Sequence, residues 1–157
     1  MQLGVVDVII IISHPILGSI VAYLLFKQWT SLKKIRIGTI DSEHLTRIRH
    51  QHQNNGRLLG NLVGVTILLA IAVEAYRGIV LDVPLSGLIS LHGWLGIILF
   101  VGAIGMRRTG SRISKEIKVG KDVGEQKRTH SKLGGAMMLL LVIIVFLGFL
   151  RLLQVLG

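Results

Sequence analysis

The 157-residue chain contains no cysteine. That excludes disulfides, thiolate metal sites, iron–sulfur clusters and a cysteine nucleophile. Charge is scarce as well. Only 17% of residues are charged, against about 25% in soluble domains, and 51% are hydrophobic. Acids are the scarcest, with eight Asp and Glu against 18 Lys and Arg, for a net charge of +10. No carboxylate pair, nucleophile triad, phosphate-binding glycine loop or zinc signature is present. Residues 1–13 hold no Lys or Arg. The first apolar stretch therefore lacks the basic start of a cleaved signal peptide and reads as a retained helix.

Four apolar stretches approach the roughly 20 residues that a bilayer-spanning helix needs. They run over about 3–26, 58–76, 84–106 and 133–156. The expected fold is all-α: a single four-helix membrane domain over 1–157, with helices running up, down, up and down. A basic soluble chain would point to nucleic acid, but the cations here sort by segment. Seven lie in 27–57 and nine in 107–132, leaving only Arg77 and Arg151 elsewhere. With the five acids of those two segments, one side of the membrane carries +11 and the other −1. The positive-inside rule puts both basic loops on the cytoplasmic or stromal side and both termini outside. The basic excess is thus a topology signal, and nucleic acid is not an expected partner. The 109–126 stretch, with Gly110, Gly120 and Gly124, is expected to be an irregular, mobile loop.

Six histidines stand out: His14, His44, His50, His52, His92 and His130. An ionisable residue at membrane depth is a functional candidate by default. Four of the six have glycine one turn later: His14/Gly18, His52/Gly56, His92/Gly96 and His130/Gly134. Residues i and i+4 share a helix face. A histidine ligating a metal tetrapyrrole lays a flat macrocycle against its own helix, and glycine leaves room for it. One such histidine on each of four helices suits two bis-histidine b haems. By helix rise, His14 and His92 differ in depth by only about 3 Å. His52 and His130 both precede their spans on the inner side. Two sites about 20 Å apart along the bundle follow, one near each surface. His50 competes with His52 as the inner ligand, and Gly56 favours His52. His44 reads as a loop or helix-cap residue.

Each feature also has a plainer reading. His14-Pro15 fits a kinked structural helix. Gly56, Gly60 and Gly64 form a small-residue packing seam. His50, His52 and His130 fit an interfacial polar surface. Glu74 and Arg77 read as an i,i+3 pair, Asp7 as solvated, and Tyr23, Tyr76 and Trp94 as interfacial belt residues, with Trp94 placed to pack on a ring beside His92.

The run Leu91-His92-Gly93-Trp94-Leu95-Gly96 resembles the His-x-Trp-x-Gly segment of the cytochrome b561 family. His14-Pro15 resembles the start of that family's first core helix. Arg49 to Gly56 resembles the second, and Arg128-Thr129-His130 with Gly134 the last. The nearer resemblance is to a smaller four-helix membrane family of cyanobacteria and plastids that is itself compared with cytochrome b561. The resemblance implies a four-helix core with two b haems, ligands pairing first with third and second with fourth helix, and electron transfer across the membrane. It further implies an anionic, ascorbate-like donor drawn to the basic side, where Arg47, Arg49, Lys127 and Arg128 lie. Four spans in place of six, and a second helix without the usual lysine-to-histidine spacing, open the donor to a quinol or a partner protein. The membrane is plasma or, by the resemblance, thylakoid.

The expected function is a dihaem membrane cytochrome, with His14, His92, His52 and His130 as iron ligands. Two alternatives come from other classes. One is a haem- or chlorophyll-binding accessory subunit of a photosynthetic or respiratory complex, since chlorophyll needs one histidine per magnesium and the same glycine clearance. The other is a cofactor-free assembly protein that packs through its glycine seams.

Overall fold

The computed structural model describes residues 4–35, 42–84 and 90–156, except the side chains of 31–35, 42–45 and 156. Those residues form four helices: α1 (Val5–Ile35), α2 (Ser42–Ile79), α3 (Leu91–Lys118) and α4 (Gly124–Leu156). Three segments are long and apolar enough to cross a bilayer: Val5–Thr30, Thr46–Ile79 and Gly124–Val155. The third expected span, 84–106, includes residues 85–89, which lie outside the described residues. Pro84 is not helical. α3 begins at Leu91 instead, because Ser90 caps it: the Gly93 amide donates to the Ser90 hydroxyl at 3.1 Å. That cap sets His92 in the first turn.

The basic connections are shorter than expected. α3 continues through Arg107 and Arg108 to Lys118, so most of the stretch expected to be an irregular loop is helix. An Arg112–Glu116 ion pair at i,i+4 spacing supports this part. Gly120, at φ 74, turns the chain in the left-handed region. The Gly124 amide then donates to Asp122 at 2.9 Å where α4 starts.

Neighbouring helices pack in a ring, α1 on α2, α2 on α3, α3 on α4 and α4 on α1. α1 and α3 are therefore diagonal, as are α2 and α4. Cross-helix pairs set the directions. Residues 7, 14 and 28 of α1 meet 76, 66 and 52 of α2. Gly64 lies against Phe100, and Asn61 meets Arg107. Gly102 lies against Met137, and Thr109 meets His130. Each pairing is antiparallel, which makes an up-down-up-down bundle. Among the described residues, the start of α1 and the end of α4 lie at one end, and the end of α1, the start of α2, the end of α3 and the start of α4 lie at the other.

The bundle has a thin core and an apolar exterior. Val21, Leu99, Val63 and Leu141 are buried, while Ile9, Ile20, Leu68, Val101, Leu139, Val142 and Phe146 are among the many exposed apolar side chains. Apolar surface on that scale calls for lipid around it.

The chain also repeats itself with an offset of 78 residues. His14, Gly18, His52 and Gly56 become His92, Gly96, His130 and Gly134 under that shift. Buried Val21 and Val63 become buried Leu99 and Leu141. The two helix pairs are therefore equivalent halves related by an approximate two-fold axis along the bundle. A residue near that axis faces its own equivalent.

Candidate functional site

His14 and His92 illustrate this. They come from diagonal helices, and their ring centres stand 6.2 Å apart with planes at 78°. Each ring is fixed by a carbonyl of a neighbouring helix. His14 Nδ1 donates to the Thr66 carbonyl of α2 at 3.2 Å, and His92 Nδ1 donates to the Ile144 carbonyl of α4 at 3.0 Å. A carbonyl can only accept, so in each ring the proton sits on Nδ1 and Nε2 keeps its lone pair. A histidine that ligates a metal through Nε2 needs this tautomer, and a backbone carbonyl is one of the outer partners that fix it. The separation also suits one shared metal. Two metal–nitrogen bonds of about 2 Å, plus about 1 Å from each nitrogen to its ring centre, give about 6 Å.

The second pair lies toward the basic end. Gln28, beside His52, is 14 residues along α1 from His14, so the two levels are roughly 21 Å apart by helix rise. His52 and His130 are half-buried. Thr109 donates its hydroxyl hydrogen to the carbonyls of its own helix, at 3.0 Å from Gly105 and 3.1 Å from Met106. The same oxygen accepts from His130 Nδ1 at 2.9 Å. His130 thus matches the tautomer of the first pair. His52 differs: the Gln28 amide nitrogen donates to the His52 carbonyl at 2.7 Å and also lies 2.7 Å from Nδ1. A metal-ligating His52 requires that amide to turn its oxygen toward the ring.

His50 is not brought to this pair. It is exposed, and Asn54 of its own helix bonds its ring at 3.3 Å. Two residues along a helix turn the side chain by about 200°, so only one of His50 and His52 can face inward. His44 belongs to the first turn of α2, and its side chain lies outside the described residues.

The glycines separate by their surroundings. A Cβ on Gly18 or Gly56 would meet its nearest neighbour at 3.9 Å, and one on Gly96 would meet nothing within 4 Å. Helix packing therefore does not require glycine at these three positions. At Gly134 a Cβ would come 3.4 Å from Met106, which is an ordinary contact. All four leave clearance one turn from a histidine, which a flat macrocycle can use.

Gly148 is a site residue the motif search passed over. A Cβ there would lie 2.8 Å from His92 Cε1 and 3.3 Å from Nδ1. The His92 ring rests directly on it, one turn beyond the carbonyl that fixes the ring. The 78-residue repeat was the available signal: its equivalent is Ala70, also small, one turn beyond Thr66.

Other expectations are revised. Asp7 is not simply solvated, since the Tyr76 hydroxyl donates to it at 2.5 Å and the Gly4 amide at 2.8 Å. Tyr76 accordingly bridges two helices. Glu74 and Arg77 do pair, at 2.8 Å, but both are nearly buried. Trp94 is 57% exposed and points outward, because it lies two positions from His92 and on another face of α3.

Among the described residues no three His, Asp or Glu side chains gather to hold a bare ion. Paired histidines alone suit a metal whose other donors come from a macrocycle. Compared with known proteins, the chain matches no family model, no curated protein and no solved structure.

Proposed function

We propose that the protein is a dihaem b-type membrane cytochrome. It carries electrons along the bundle axis, from a donor at the basic end to an acceptor at the end bearing the termini. One observation carries this reading: two Nδ1-protonated imidazoles from diagonal helices, spaced for one metal and each held by a backbone carbonyl. His14 and His92 would hold one haem, and His52 and His130 the other. Bound there, haem supplies reversible one-electron chemistry.

The polypeptide contributes the rest. The Thr66 and Ile144 carbonyls orient the imidazoles and raise their basicity. Thr109 does the same for His130. Buried Val21, Leu99, Val63 and Leu141 lie between the two levels and line the gap with apolar side chains. At the basic end, exposed Arg47, Arg49, Lys127 and Arg128 raise the local concentration of an anionic donor, whether ascorbate-like or the acidic face of a protein. A quinol reaches the same end through the membrane. By the positive-inside rule this end faces the cytoplasm or stroma, in a plasma or thylakoid membrane.

The test is a dithionite-reduced minus air-oxidised spectrum of the detergent-purified protein, with pyridine haemochrome quantitation. Two b haems per chain are expected. A folded, colourless protein overturns the reading. Chlorophyll in place of haem reassigns the histidines to an accessory pigment subunit.

A further inference from the structure

A crevice of about 390 Å³ opens between α2 and α3, away from the histidine pairs. Gly60 and Gly64 form its floor, and Phe100 and Ile104 wall it. The floor is open at Gly60, where a Cβ would meet nothing within 4 Å, while the Phe100 ring covers Gly64, where a Cβ would come 3.1 Å from it. Asn61 and Arg107 line one end, where the guanidinium donates to Asn61 Oδ1 at 3.2 Å. Through Ile104 and Arg107 the crevice continues into a second hollow of about 310 Å³, bounded by Arg108 and Ser111. The combined cleft is apolar at one end and doubly cationic at the other.

Its dimensions point to a particular occupant. From Phe100 to Ser111 the cleft runs 11 residues, or roughly 16 Å. That is about half of a bilayer's hydrocarbon core of roughly 30 Å, the depth of one leaflet. The arginines stand where the apolar part of α3 ends.

The internal repeat shows that helix packing alone does not produce this cleft. In the equivalent α4–α1 groove, Met138 and Val142 replace the two floor glycines, and Leu139 replaces Asn61. There Leu25 stands for Ala103, and Trp29 and Thr30 stand for Arg107 and Arg108. The equivalent floor positions carry large side chains on one side of the bundle and glycines on the other. Opening and arginines occur together.

We propose that the α2–α3 cleft binds one anionic phospholipid. An acyl chain lies over Gly60, beside Phe100 and Ile104. The phosphate sits between the Arg107 and Arg108 guanidiniums, whose planar forks match its oxygens. Ser111 and the amide nitrogen of Asn61 remain available as further donors. The basic end of the bundle supplies the long-range attraction.

The test is native mass spectrometry of the full chain in mild detergent, titrated with dioleoylphosphatidylglycerol or dioleoylphosphatidylcholine. Retention of one phosphatidylglycerol per chain is expected, with phosphatidylcholine retained at least tenfold more weakly. The Arg107→Gln/Arg108→Gln pair should weaken retention at least tenfold. Gly60→Leu should do the same with both charges intact, helix content being checked by circular dichroism. A control pair at the same end, Lys121→Gln/Lys127→Gln, should change retention less than twofold. Inorganic phosphate at millimolar concentration should not displace the lipid. Equal retention of the two lipids, or equal losses in the arginine and lysine pairs, overturns the proposal. So does full retention in Gly60→Leu, or displacement by phosphate.

Discussion

Replacing Gly148 with alanine adds one methyl group, yet it should disable one haem site. The new carbon would stand 2.8 Å from His92 Cε1 and 3.3 Å from Nδ1. Carbon atoms prefer about 3.5–4.0 Å. The ring must therefore retreat by roughly an ångström, and that distance is enough to break its bond to the Ile144 carbonyl, now 3.0 Å long. Leaving a buried donor unpaired costs about 1–3 kcal/mol. The ring would also leave the position from which it faces His14. A loss of that size corresponds to roughly 5–150-fold weaker cofactor binding at this site. The pair at the basic end, roughly 21 Å away, should be untouched. The assay is haem content per folded chain, with a redox titration to resolve the two components. One component should fall in occupancy or shift in potential, while the other stays. Gly96→Ala is the companion, since its Cβ meets nothing in the polypeptide. It should leave the unfolding temperature of the haem-free chain unchanged and still lower haem occupancy. An unaltered spectrum and full occupancy in folded Gly148→Ala would refute the seating of His92 described above.

Three further outcomes follow from the same geometry. His92→Ala should remove the haem at the end bearing the termini and leave the other, and survival of both in a quantitative haemochrome assay would break the diagonal pairing. His52→Ala should remove the haem at the basic end, while His50→Ala should leave the haem count at two, because only His52 faces inward. Thr109→Val keeps the shape but removes the acceptor for His130 Nδ1. It should weaken the basic-end haem by about 1–3 kcal/mol, read as loss on dilution or a shift in midpoint potential.

Much of this molecule was legible one residue at a time. Apolar runs and their lengths depend on local composition, so the four helices could be located from sequence, as could the clustering of sixteen cations in two segments. The errors were local too. The glycines at 110 and 124 were read as marking a loop, but the Arg112–Glu116 pair and the apolar face of α3 carry the helix on to Lys118. The four His–Gly pairs were visible as a pattern. Their 78-residue spacing is faint in the sequence because the two halves share few other residues.

Sequence by itself determined the all-helical architecture, the polarity of the bundle ends and the four candidate ligands, since helix period and charge are properties of the chain. Helix rise already matched His14 with His92 in depth; only tertiary structure brought their rings to 6.2 Å and showed that Thr66 and Ile144 lend the carbonyls that fix their tautomers. It alone placed Gly148 beneath His92 and left open space beside Gly60. Those outcomes depend on how each helix is rotated and how far it is shifted along its neighbour. Many weak contacts spread over four helices set both quantities together, and no short motif records them.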